Sequence, residues 1–299
     1  MLNIISKTKY AYIFSGTMTF LSIIALFVWG LKFGIDFSGG TLMEVSYPSG
    51  VPSSQEIEAT LSDLNLKSLS LQPSGTGSVL IRYASEEDSV NQKVFGEIKG
   101  KYGDAVQSRV EYTNSSVSKD LRKNSLLAIF WAVVGIMIYV AWAFRKVSRP
   151  VASWKYGAGA VIALVHDVLI TIGVFSALGH FFDIEVGVPF IAALLTILGF
   201  SVHDTIVVYD RTRENLIRSS AKESFPDIVN RSLNETLVRS INTSLTVIVT
   251  LLSIYLFGGE SIKYFALALL VGVTFGTYSS IFIASALLVT SYDLQIKKK

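Results

Sequence analysis

Six stretches of this chain are each long and apolar enough to cross about 30 Å of hydrocarbon as a helix, and that limits every other choice of fold. They cover residues 10–31, 124–144, 156–178, 188–209, 241–257 and 264–292. A backbone in lipid has to satisfy its own polar groups, so such runs fold as helices and not as open sheet. Composition agrees, with 51% of the 299 residues hydrophobic and 16% charged, against about 25% charged in soluble domains. The first run is longer than the about 7–15 apolar residues of a signal-peptide core and no small-x-small site follows Trp29, so it is expected to be a retained anchor.

Lysine and arginine orient the spans. Lys7 and Lys9 precede the first; Arg145, Lys146, Arg149 and Lys155 lie between the second and third. Arg211, Arg213, Arg218, Lys222, Arg231 and Arg239 lie between the fourth and fifth, and Lys297, Lys298 and Lys299 end the chain. Residues 179–187 carry no lysine or arginine, and 258–263 carry one. The positive-inside rule therefore predicts that both termini are cytoplasmic.

That leaves one large outer segment. Within it 41–47 alternates like a strand and 53–63 opens with a cap-like Ser53 ahead of Glu56 and Glu58. Residues 67–72 and 78–83 read as strands around Pro73, Ser74, Gly75 and Gly77; 86–102 reads as a helix and 105–111 as a last strand. The order β-α-β-β-α-β predicts a ferredoxin-like α/β domain. The expected fold is an α-helical polytopic membrane protein: 1–32 as N-terminus and first span, 33–123 as the extracytoplasmic domain, 124–299 as the other five spans. Leading into the domain, Phe33-Gly-Ile-Asp-Phe-Ser-Gly-Gly-Thr41 suits a sharp membrane-to-strand corner, with an anion cradle as the weaker alternative.

Residues 210–240 are polar, divided by Pro226, and 224–237 has apolar residues at Ile228, Leu233 and Leu237, as an amphipathic helix on the membrane surface would. A plain connector is the alternative. In the last span Gly272, Gly276, Ser280 and Ala284 recur at steps of four, a face on which helices approach closely.

Tyrosine aside, the ionisable residues in the spans are His166 and Asp167 in the third and His203 and Asp204 in the fourth. A carboxylate at that depth costs roughly 2.5–3.5 kcal/mol on insertion scales, so it needs either a structural hydrogen bond or a function. A zinc site fits poorly, because neighbouring residues on a helix point about 100° apart, unlike the i, i+4 histidines of H-E-x-x-H. No G-x-S-x-G elbow, no phosphate-binding loop and no cysteine is present, and a net charge of +3 points to no nucleic acid. Proton carriage fits better. Burial disfavours an ionised carboxyl and a nearby cation favours it, so a group alternating between such surroundings loads and releases a proton. Arg239, just ahead of the fifth span, is the expected cation for Asp204.

Three motifs now converge: Gly34-Ile-Asp-Phe-Ser-Gly-Gly-Thr41, Ala163-Leu-Val-His-Asp-Val168, and Ser201-Val-His-Asp-Thr-Ile-Val-Val-Tyr-Asp-Arg-Thr-Arg-Glu-Asn-Leu216. Together they resemble the SecF family of bacterial protein-export membrane subunits, in the resistance-nodulation-division superfamily, over nearly the whole chain. The resemblance implies SecD as partner, assistance to the SecYEG channel late in the translocation of unfolded polypeptide, and use of the proton-motive force. It implies the bacterial inner membrane, no enzyme activity and no cofactor. The family's fourth-span aspartate corresponds to Asp204, its arginine before the fifth span to Arg239, and its third-span pair to His166 and Asp167. His203 stands where many relatives have asparagine, and Val117-Ser118 where Val-Gly is frequent. The relay expected on these grounds is Asp204, Arg239, His203, His166 and Asp167. Two other readings stay open: a scaffold that stabilises SecD, with the polar pairs as interhelical glue, and half of a small-molecule exporter, whose larger relatives have about 12 spans.

Overall fold

The computed structural model describes residues 2–75, 77–145, 150–219 and 223–297. Lys146, Arg149, Lys222, Lys298 and Lys299, counted above among the orienting charges, lie outside the described residues. Among those described, 6 helices are long and apolar enough to cross a membrane.

The first is α1 (Thr8–Val28), preceded by a 3-10 turn. A one-turn helix, α2 (Ile35–Ser38), leads into the α/β domain, which runs β1 (Gly40–Ser46), α3 (Ser54–Leu61), β2 (Ser70–Ser74), β3 (Ser78–Tyr83), α4 (Asp88–Lys101) and β4 (Val106–Thr113). The corner reading of the glycine pair holds. Gly39 and Gly40 have φ of +76° and +124°, and a Cβ on Gly40 would lie 2.4 Å from the Tyr83 carbonyl oxygen, so both positions require glycine.

The sheet has the order β2-β3-β1-β4 with every pair antiparallel, which is the split β-α-β order read from the sequence. Met43 and Val45 on β1, Val79, Ile81 and Tyr83 on β3, Ile57 and Leu61 on α3, and Val94 and Ile98 on α4 form its core. Ser53 caps α3 in a capping box with Glu56, as its sequence announces. Pro73 and Ser74, expected in a turn, instead lie in β2. That strand is at the sheet edge, where a residue without an N–H costs no ladder bond. The opposite face of the sheet, with Leu42, Glu44, Leu80 and Arg82, roofs a cleft of about 650 Å³ above the membrane helices.

The remaining helices are α5 (Ser115–Ala143), α6 (Ser153–Phe182), α7 (Val188–Arg218), α8 (Phe225–Phe257), α9 (Glu260–Ser279) and α10 (Ser285–Ile296). A π-helical turn, Ser280–Ala284, joins the last two into one span. About half of α6 and of α7 is buried in the bundle, whereas α5 lies at its edge, packing Val133, Ile136 and Val140 inward and turning Phe130, Trp131 and Ile138 outward. Gly272 and Gly276 lie against α7: a Cβ on Gly272 would come within 2.2 Å of Ile197 and one on Gly276 within 3.0 Å of Ser201. The small-residue face thus buries the last span, as expected.

Two elements outrun their expected limits. α5 starts at Ser115, well before residue 124, with Asn114 accepting from the Ser116 N–H as its cap. α8 is continuous from Phe225, so 224–237 is the foot of the fifth span and not a separate surface helix. Ser224 caps it and Pro226 occupies its first turn, where a missing N–H is harmless. Its polar residues bind protein: Asn230 Oδ1 accepts from the Ile4 N–H at 2.8 Å, Asn234 Oδ1 from the Leu2 N–H at 2.7 Å, and Asn215 on α7 donates to Ser232 at 3.0 Å.

Candidate functional site

α6, α7 and α9 cross where Asp167 lies. Its side chain is fully buried, and both oxygens are occupied: Oδ1 is 2.9 Å from His166 Nδ1, while Oδ2 accepts from Ser201 at 2.6 Å and Ser279 at 2.8 Å. The His166 ring faces the Tyr278 ring at 6.4 Å, and its Nε2 is buried with no partner among the described residues. One carboxyl therefore binds three helices together, and the π-helical turn begins directly after Ser279.

Asp204 is placed differently. It is 3% exposed, and its Oδ2 is buried without a hydrogen-bond partner among the described residues. The structure links Asp204 to none of the other expected relay residues by a hydrogen bond or ion pair. His203, one residue earlier on the helix, is exposed, its side chain turned about 100° away from that of Asp204. Arg239 is exposed and forms no ion pair with Asp204. It lines a cleft of about 440 Å³ between the ends of α7 and α8 farthest from the α/β domain, with Asp210, Arg211, Glu214, Glu235 and Thr236. Arg211 holds that mouth together, with Nε 2.5 Å from Glu235 and Nη1 2.5 Å from Glu214.

Between cleft and carboxyl runs a row that sequence reading missed. Ser232, Thr236, Ser240 and Ser244 recur at steps of four on α8, all buried, on the face that meets α7 and α9. Steps of four place side chains on one helix face, so the spacing alone carried the signal. Ser244 and Thr277 of α9 share a hydrogen bond of 2.5 Å, and Ser240 Oγ is buried without a partner among the described residues. Thr236 lines the cleft, Ser240 follows one turn on, and Ser244, a turn further, lies beside the Asp204 carboxyl. The arrangement joins a charged mouth, a file of hydroxyls and a buried acid whose one oxygen is unoccupied. Among the described residues no three His, Asp or Glu side chains converge as a metal shell would need.

Comparison with known proteins follows the same outline. The family described as Protein export membrane protein SecD/SecF, C-terminal, matches residues 94–293, and the SecD/SecF GG Motif matches residues 24–47. The chain is 43% identical to Protein translocase subunit SecF of Thermobaculum terrenum, covering 96% of this chain and 93% of the relative. It is 39% identical to the subunit of that name from Anaerolinea thermophila, covering 97% and 94%. The solved structure of SecDF, a translocon-associated membrane protein from Thermus thermophilus, superposes with a TM-score of 0.85 at 30% identity. SecDF in a super-membrane-facing form gives 0.70 at 29% identity. This chain covers 100% and 99% of itself in the two comparisons but 39% of each SecDF chain.

Proposed function

The chain belongs to the SecD/SecF family of protein-export membrane proteins, and from that premise we propose that it is the SecF half of an auxiliary unit of the Sec translocase. Its relatives are named translocase subunit SecF, and it covers 39% of the SecDF chains it resembles, which supports a separate SecD partner for the remainder. In this reading the termini are cytoplasmic, the α/β domain faces outward toward polypeptide leaving the SecYEG channel, and protons crossing by way of Asp204 drive its movement. A single elementary charge crossing the membrane field is worth about 2.3 kcal/mol per 100 mV, enough to bias a rearrangement of that size.

The observation that carries the proposal is the unoccupied Oδ2 of Asp204 at the head of a hydroxyl row that opens into a charged cleft. Asp204 holds a proton in one arrangement of the bundle and yields it in another, in which Arg239 approaches from the cleft. The fall in TM-score from 0.85 to 0.70 between two forms of SecDF, at nearly equal identity, supports more than one arrangement for this fold. The test is export of a secreted reporter in cells depleted of their own subunit and supplied with this chain and its SecD. Asp204→Asn is expected to abolish proton-dependent export while the protein stays in the membrane, and undiminished export rejects the relay.

The scaffold reading gains from Asp167, whose carboxyl is saturated by hydroxyls of two other helices and by His166. We assign His166 and Asp167 to holding the bundle around the relay, with Asp204 and Arg239 as its moving parts and His203 facing outward to lipid or partner.

A further inference from the structure

α7, the helix that bears Asp204, has no cap of its own. Its N-cap is Gly187, and the first N–H, of Val188, donates instead to Asp36 Oδ2 at 2.8 Å, across 152 residues of sequence. The positive end of a helix favours a carboxylate there. The fit is tight, since a Cβ on Gly187 would lie 2.5 Å from that oxygen. A short parallel bridge lies beside it: Phe33 pairs with Val186, the Gly34 N–H donates to the Val186 carbonyl at 3.0 Å, and the Val186 N–H donates to the Lys32 carbonyl at 2.8 Å. Asp36 stands in α2, one turn before β1, a central strand of the sheet. Arg82 on β3 adds a second tie, with Nε 3.2 Å from Glu185 Oε2. From Val188 to Asp204 the helix is unbroken for about 24 Å, at 1.5 Å per residue.

We propose that Asp36 is a positioning residue for Asp204: by capping α7 it fastens the root of the α/β domain to the helix that carries the relay carboxyl, so that the two move as one body. This rests on the relay reading of Asp204. The sequence motif around Gly39 and Gly40 then serves two ends. Its glycines turn the chain, and its aspartate reaches the membrane domain. The loop does not cradle an anion but supplies one to a distant helix.

The junction can be closed covalently to test this. A Cβ on Gly34 would lie 3.8 Å from Glu185 Cβ, within the about 3.5–4.5 Å that a disulfide needs, and the chain has no cysteine to interfere. The measurements are abundance, reporter export and its pH profile, in the full chain with SecD. Asp36→Ala is expected to lower export roughly tenfold or more with the SecD complex still formed. Asp36→Asn, whose amide oxygen still accepts from Val188, should retain a large part of it. The pair Gly34→Cys and Glu185→Cys should restore export to the Asp36→Ala chain when oxidised and lose that rescue on reduction. In a chain with Asp36 intact, the same disulfide should leave export unharmed, which reads the proposal even where Asp36→Ala accumulates poorly. Wild-type export by Asp36→Ala, or export blocked by the disulfide and regained on reduction, overturns it. The two claims separate cleanly: normal export by Asp204→Asn sinks the relay, whereas normal export by Asp36→Ala beside an inactive Asp204→Asn sinks the clamp alone.

Discussion

The phenol of Tyr209 on α7 donates to the carbonyl of Ala284 in the π-helical turn of the last span, at 3.0 Å. Tyr209 is fully buried, with its ring edge-on to Phe144 and Tyr156. The bond pins α7 to the last span a little over one turn beyond Asp204. A π turn frees backbone groups from the regular ladder, and in lipid these must find another partner.

Tyr209→Phe removes that donor and keeps the ring. Interhelical hydrogen bonds in membranes are worth about 0.6 kcal/mol on average and up to about 1.7 kcal/mol, so a loss in that range is expected in detergent unfolding. Gly159→Ala should do the same from the other side, because its Cβ would lie 2.7 Å from the Tyr209 oxygen. If both variants unfold as the wild type does, the bond contributes nothing.

Gly272→Ala should overpack the contact between α7 and α9 and cost about 1–3 kcal/mol. The nearest obstacles are Cδ1 and Cγ1 of Ile197, at 2.2 and 2.3 Å. Adding Ile197→Ala to the same chain removes both atoms and should recover part of the loss. A double-mutant cycle that shows additive effects contradicts this packing.

Glu185, in the loop between α6 and α7, gives a pH prediction. Burial raises its pKa above the ordinary glutamate value, opposed by Arg82 and Lys32. The packed state therefore holds a proton more readily than the unfolded one, and its stability falls as pH rises from the ordinary glutamate range through the raised folded value. Below that window the penalty is absent; above it, it is fully present. Glu185→Gln should flatten the dependence, measured as the midpoint of thermal unfolding between pH 4 and pH 7, about the range in which such a group titrates. Equal pH dependence in wild type and variant contradicts the shift.

Much of the fold was legible because its signals are local. Six apolar runs mark the spans, the limits of β3 follow from its alternation, and Ser53 with Glu56 announces α3. The site was legible as residue types but not as an arrangement. Hydropathy marks where lipid lies and not where a helix stops, so α8 was read as two segments although Asn230 and Asn234 hold its foot against the N-terminus. Asp167 and Asp204 look alike in sequence, each following a histidine, yet one is saturated and the other has an unoccupied oxygen. The link from Asp36 to Val188 joins residues 152 apart, which no local pattern reports.

The assignment of Asp167 to packing separates it from the relay by experiment. Asp167→Asn should lower detergent stability, since an amide NH2 then replaces one of the two buried oxygens and faces either His166 Nδ1 or the hydroxyls of Ser201 and Ser279. It should leave the pH profile of export in place. A lost pH response with unchanged stability would return Asp167 to the proton path.

Proton movement itself is the most direct test of the central claim. In proteoliposomes holding this chain with SecD, an imposed pH gradient should drive proton entry, read by an internal pH-sensitive dye, and Asp204→Asn should reduce the rate to that of empty vesicles while the protein content stays equal. Equal proton entry through wild type and Asp204→Asn would contradict the account.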